Sequence, residues 1–211
     1  MPNWCTNHIV IKGKNAKQIH KTINKELNRK LKNDEDIREF MNLFVPIKYN
    51  ETTWYDDNIE TWGTKWDIMI EDAGIDFNNS AIPELKMDFQ SAWSPVNKFL
   101  EKLAIKFQVE ISNFYYEGGC DFTGVFECNE DGVIRDETET YYYGCYKFNN
   151  DWFWNNCAEE YMSVLEDEPL EECLNFLNFF NNNDIEKFTE MYKEYHEEDE
   201  EDEEDEDEEN K

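Results

Sequence analysis

The chain has 211 residues, a length that suits one domain with an extension and is enough to bury a real core. It carries 50 acidic residues against 20 lysines and arginines, a formal net charge of −30, so the basic surface that phosphate backbones require is missing overall. No apolar run approaches the roughly 18 residues that span a bilayer. No basic and then apolar leader opens the chain, and the six cysteines include no Cys-x-x-Cys pair. We therefore expect a cytoplasmic protein with reduced thiols and no membrane partner.

Residues 3 to 11 alternate, with Cys5, Asn7, Ile9 and Ile11 on one face, which predicts a strand ended by Gly13. In residues 15 to 32, Ile19, Ile23, Leu27 and Leu31 recur every fourth position, which predicts a helix with a narrow apolar stripe. Lys12, Lys14, Lys17, Lys21, Lys25, Arg29, Lys30 and Lys32 face a single acid there, Glu26. Such a charge run is usually a solvated face or pairs with the chain's own acids. Pro46 and the polar run 50 to 60 read as a connecting loop, and 64 to 70 as a second strand. Gly74 and Asn78-Asn79-Ser80 read as a turn.

Leu85, Met87, Phe89, Ser91 and Trp93 alternate with polar or small residues, the pattern of a half-buried strand. Ser94 followed by Pro95 is a helix-start signal, and Val96, Phe99, Leu100, Leu103 and Phe107 supply that helix's apolar face. Residues 109 to 116 read as a further strand, stopped by Gly118-Gly119. Strand, helix, strand, strand, helix, strand is the split βαβ, ferredoxin-like order. The fold class expected is α+β, with two helices on one face of an antiparallel sheet. Residues 122 to 126 and 138 to 148 would add a hairpin, with Asp131-Gly132 in the connection.

From 151 the pattern turns helical, with Asp151, Pro169 and Asp184 as start signals. Residues 197 to 209 are thirteen consecutive acids, and without them the net charge is still −17. A block of like charge repels itself and buries no apolar surface, so it reads as a disordered tail, either solubilising or mimicking a polyanion. The expected organisation is 1–148 as the α+β domain, 149–196 as a helical extension and 197–211 as the tail.

Three tryptophan blocks stand out: Met1-Pro2-Asn3-Trp4-Cys5-Thr6-Asn7, Trp62-Gly63-Thr64-Lys65-Trp66-Asp67 and Ala92-Trp93-Ser94-Pro95. With Tyr115-Tyr116-Glu117-Gly118 and Asp121-Phe122-Thr123-Gly124, they resemble the YubB-like family of phages, plasmids and large viruses, in order over residues 1 to 133. The resemblance implies a ferredoxin-like domain and a mobile-element context, and implies no activity. The chain departs from the family at Gly119-Cys120 and has no counterpart to residues 150–211 there.

The candidate ligand or partner site is drawn from these blocks: Trp4, Asn7, Trp62, Lys65, Trp66, Asp67, Trp93, Glu117 and Asp121. Trp-lined pockets with a few convergent polar groups are typical binding sites. The competing reading is a folding signature, with Trp4, Trp66 and Trp93 in the core and Lys65 paired to Asp67.

Catalytic signals are sparse. His8, His20 and His196 share no spacing, and Cys5 and His8, three apart on a strand, point to opposite faces. The cysteines supply no zinc set, and Asp76 with Glu84-Leu85-Lys86 only loosely fits a metal-dependent nuclease. No metal or cofactor is expected. Phe114, Tyr115 and Tyr116 occupy the strand on which RNA-binding sheets stack bases, without the matching basic motif. The function expected is a non-enzymatic interaction protein with a protein partner. Its alternatives are a nucleic-acid role, by the sheet or by polyanion mimicry, and a hydrolase of unknown type.

Overall fold

In strand β1 (Trp4–Lys12), Cys5, Asn7, Ile9 and Ile11 are buried while Trp4, Thr6, His8 and Val10 face the other way. This is the period-two alternation of the sequence made physical. The computed structural model describes residues 3–33, 40–69, 73–165, 169–171, 173 and 180–209. Strand β1 is flanked by β3 (Glu84–Ala92) and β4 (Glu110–Glu117), both antiparallel to it. With β2 (Gly74–Asn78), β5 (Phe122–Asn129) and β6 (Gly132–Glu139) they form a six-stranded antiparallel sheet of order β2-β3-β1-β4-β5-β6. The first four strands, in order 2-3-1-4, are the ferredoxin-like core, and β5-β6 is the added hairpin, turning at Gly132 with φ +116°.

Helices α1 (Ala16–Asn33) and α4 (Asn97–Phe107) cover one face. Ile19 and Ile23 of α1 and Phe99, Leu100 and Leu103 of α4 join Ile9, Met87 and Ile111 in one apolar cluster. Complete burial of such side chains contributes about 1.5–3 kcal/mol each. A Cβ at Gly124 would collide with the ring of Tyr115 across the β4-β5 ladder and lie 2.6 Å from the Glu137 carbonyl. Glycine there lets the buried Tyr115 reach Thr138, Oη to Oγ1 2.8 Å.

Several elements depart from the sequence expectation. The stretch 40–61 holds two helices, not one loop: α2 (Phe40–Phe44) and α3 (Trp54–Thr61). Phe40, Met41 and Phe44 are one helical face and are fully enclosed. Helix α3 buries no residue, but Lys98 and Lys102 donate to its last carbonyls, Ile59 O at 3.1 Å and Thr61 O at 2.8 Å. Cations at the carbonyl end of a helix satisfy orphan acceptors and its dipole.

Residues 64–69 form no strand, because their hydrogen bonds run to α2 and to the β3–α4 connection; Ile70 lies outside the described residues. The edge strand starts instead at Gly74, where a turn was expected. Ser94 does not cap α4, which begins at Asn97 after Val96. Residues 141–148 are helix α5 (Tyr141–Phe148) rather than strand, burying Tyr141, Gly144 and Cys145. It lies over the face opposite α1 and α4, since Thr123, which shares that face with Tyr116, donates to the Tyr141 carbonyl at 2.9 Å.

The chain divides into two units, Met1–Phe148 and Asn149–Lys211. The second contains α6 (Asn150–Asn156), α7 (Ala158–Val164) and α8 (Asn182–Glu209), with 170–171 and 173 also helical; the rest of the helix expected after Pro169 lies outside the described residues. Asn149 caps α6, accepting from Trp152 N at 3.2 Å, and Asn181 accepts from Asn183 N and Asp184 N at 3.0 Å. The caps thus fall before Asp151 and Asp184, since the side-chain oxygen must meet amides two or three residues on. Phe180 packs on Phe153, Trp154 and Phe188 at 5.5–5.9 Å. Helix α8 runs through 197–209, so the backbone of the acidic block is helical where the sequence reads as a disordered tail.

Candidate functional site

The β1–β3 register pairs Trp4 with Ala92, and at the next residue the chain leaves the sheet. It does so through Trp93 in the left-handed region, φ +72°, with Trp93 N donating to Asn3 O at 2.9 Å. The 62–67 block is stitched to this exit. Thr64 Oγ1 donates to Ala92 O at 2.8 Å, Ser94 Oγ to Gly63 O at 2.6 Å and Phe99 N to Trp62 O at 3.3 Å. Gly63 sits at φ +89° with the Pro95 carbonyl 3.2 Å from where a Cβ would project, so glycine permits the close approach.

This stitching sorts the tryptophans. Trp62 goes inward, its indole N–H donating to Val45 O at 2.9 Å. Trp4, Trp66 and Trp93 stay 46%, 39% and 46% exposed, which removes them from the core role of the folding-signature reading. Trp4 and Trp66 approach at 6.3 Å with a 43° tilt. The Lys65 ammonium lies 4.5 Å from the Trp66 ring centroid, so Lys65 meets a ring and not the Asp67 carboxylate. Two cavities adjoin this block. One of about 520 Å³ is lined by Trp4, Thr6, Asp67, Ile68, Asp88 and Gln90, and one of about 400 Å³ by Tyr49, Trp54, Asn58, Trp62, Trp66 and Asp67.

The polar residues of the blocks serve the backbone. The Asp67 carboxylate accepts from Met41 N at 2.6 Å, Asn42 N at 2.7 Å and Ile68 N at 2.7 Å, anchoring the start of α2. Asn7 is buried among Cys5 O, Ser91 Oγ and Asn113 Nδ2, at 2.9–3.0 Å, and Asn113 reaches on to Asn97 of α4 at 3.3 Å. Glu117 accepts from Gly119 N and Cys120 N and closes that turn. Asp121, at φ +53°, accepts from Tyr141 N at 3.0 Å and starts α5. The structure therefore brings Trp4, Lys65 and Trp66 together, with Trp93 exposed at the adjoining exit of β3, its amide on Asn3 O, while Asn7, Trp62, Glu117 and Asp121 belong to the frame and Asp67 touches both.

Sequence reasoning missed one pair. His8 Nδ1 lies 2.6 Å from Asp88 Oδ1, with the imidazole stacked near Phe114 (6.0 Å, 18°) and Tyr116 (5.8 Å, 27°). Only the β1–β3 register places Asp88 opposite His8, and no spacing along the chain shows it. Burial pushes the Cys5 and Cys128 thiols up to about 12, so they remain protonated and inert. Glu84 pairs with Lys12 at 3.2 Å and Lys86 at 3.5 Å, and its hydrogen bond to Lys12 holds the carboxyl below the usual range. Its charge is thereby matched by lysines rather than directed with Asp76 at a cation, against the loose nuclease pattern.

These elements define an α+β protein with a ferredoxin-like domain and an exposed tryptophan surface at one end of its sheet. Residues 61–152 match the family model described as a ferredoxin-like domain in Api92-like protein. Among solved structures, a protein Api92 from Yersinia pseudotuberculosis aligns with a TM-score of 0.45 at 11% identity, covering 67% of this chain and 98% of that one. No curated protein matches the sequence. No helix among the described residues is long and apolar enough to cross a membrane.

Proposed function

We propose that the chain is a non-enzymatic binding protein of a virus or other mobile element, holding a protein partner on the surface formed by Trp4, Trp66 and Trp93. The mobile-element part rests on the YubB-like blocks. The binding part rests on one observation above all, Trp93, whose ring is 46% exposed on a left-handed backbone. A bulky residue in that conformation costs on the order of 1–2 kcal/mol, and a half-exposed indole forgoes much of the burial that would offset it. Folding alone is better served there by glycine. Strain of this kind gathers at functional sites, and tryptophan is the side chain most enriched in interface hot spots.

Replacing Trp93 by glycine separates the two roles. Relief of the strain should leave the denaturation midpoint unchanged or raised, while partners recovered from a host lysate by the wild-type chain are lost. A variant that is less stable yet retains every partner makes Trp93 a structural residue and overturns the reading. A hydrolase is the second reading, favoured by the His8–Asp88 pair, in which the carboxylate would orient the imidazole as a base. That chemistry needs a reachable Nε2, and here this atom is shielded from solvent with no hydrogen-bond partner among the described residues. The binding reading is preferred for that reason.

A further inference from the structure

The cavity of about 400 Å³ is walled by Tyr49, Trp54, Trp62 and Trp66, with Asn58 and Asp67 among its lining. We propose that this aromatic cavity receives a lysine or arginine side chain projected from a basic segment of the partner protein. The inference rests on the binding reading above and names the chemistry it selects.

Five features carry it. Aromatic faces present negative quadrupole density, and several rings around one space form the arrangement that holds an ammonium or guanidinium. Among the described residues lining the cavity none is cationic. The segment 48–65 carries Glu51, Asp56, Asp57 and Glu60 against Lys48 and Lys65, and the neighbouring Lys98 and Lys102 are engaged with the last carbonyls of α3. The Trp66 ring also takes a cation within the chain itself, the Lys65 ammonium at 4.5 Å. With a net charge of −30, long-range attraction favours a basic partner over an acidic one.

The walls suit such a guest physically. Trp62 is fixed by its bond to Val45 O, and the loop bearing Trp66 is fixed by Asn58 Nδ2 on Lys65 O at 2.8 Å. Tyr49 lines the cavity and is 73% exposed. Rigid rings spare the ordering cost of binding, and the apolar stem of a lysine can lie along them while its head meets their faces.

The test titrates the full chain with a short peptide of alternating lysine and glycine and with its Nε-acetylated counterpart. Calorimetry and the indole N–H resonances of Trp54 and Trp66 report binding. The expected result is saturable binding of the lysine peptide that shifts both indoles, with the acetylated peptide at least about tenfold weaker. That ratio corresponds to about 1.4 kcal/mol, within the range of a desolvated cation over rings. Tyr49→Leu and Trp54→Leu, which keep apolar bulk and remove the ring face, should each weaken the lysine peptide several-fold. Tyr49→Leu touches no buried position, so it stays informative if Trp54→Leu fails to fold. Equal affinity for the acetylated peptide, or unchanged affinity in Tyr49→Leu, overturns the inference. Loss of partners in Trp93→Gly without any cavity binding discards this inference alone and leaves the binding reading standing.

Discussion

Three backbone amides converge on the Asp67 carboxylate, and two of them open helix α2. A side chain in that position acts as an N-terminal cap for a helix whose Phe40, Met41 and Phe44 belong to the core. Asp67→Ala should therefore destabilise the chain by about 1–3 kcal/mol, combining a lost cap with unsatisfied amides. Urea denaturation checks it, with a lower midpoint and an unchanged slope expected. Asp67→Asn keeps an acceptor and should cost less. Asn7, Glu117 and Asp121 stand out in the sequence as motif residues, yet the sequence is silent about their partners. Those partners are backbone groups or side chains 2 to 114 residues away, reached through sheet register and turns.

At the scale of elements, α1 meets the edge strand β2 through His20, whose ring stacks on Phe77 at 4.1 Å and 17°. Burial holds the His20 pKa below its ordinary value. The neutral imidazole is thus favoured in the folded state, and the unfolded chain binds more protons below its ordinary pKa of about 6.5. The contribution is complete above about pH 6.5 and is lost as pH falls through the lowered folded-state value. Denaturation midpoints of the wild type, compared with His20→Gln between about pH 7.5 and pH 5, should show the wild type losing its advantage on acidification. Equal slopes would sink this. Strand β2 itself is hard to read in the sequence, because it begins with glycine and buries none of its five residues, only Ile75 and Phe77 being partly covered. The 40–61 helices are equally obscure, α2 being five residues long and α3 burying nothing.

Across the whole molecule, negative charge outweighs positive, and it is densest at the end of α8. That helix closes in thirteen consecutive acids, in which every i,i+4 pair repels. Glutamate by itself is a good helix former, so repulsion is what opposes this helix. Lowering the pH from 7 to about 4 protonates roughly half of a set of ordinary carboxylates, weakens the repulsion and should increase far-UV helical signal. Salt at pH 7 should act in the same direction by screening. A chain ending at residue 196 should show neither change, and a helical signal that falls on acidification would contradict the account.

The alternation of β1, β3 and β4 and the apolar spacing of α1 and α4 made three of the four core strands and both helices legible, because a half-buried strand and an amphipathic helix write their solvent boundary into the residue order, whereas the remaining strand was expected at 64–70 and lies at Gly74–Asn78. The hairpin turn at Asp131-Gly132 was legible for the same local reason, a residue that must take positive φ. Which tryptophans reach solvent was decided only in three dimensions. Trp62 and Trp66 are four residues apart in one motif, yet one donates to Val45 inside and the other stands 39% exposed. The His8–Asp88 pair and the ring-lined cavity depend likewise on contacts between distant segments. Register and loop stitching set those contacts, and neither leaves a local trace in the chain.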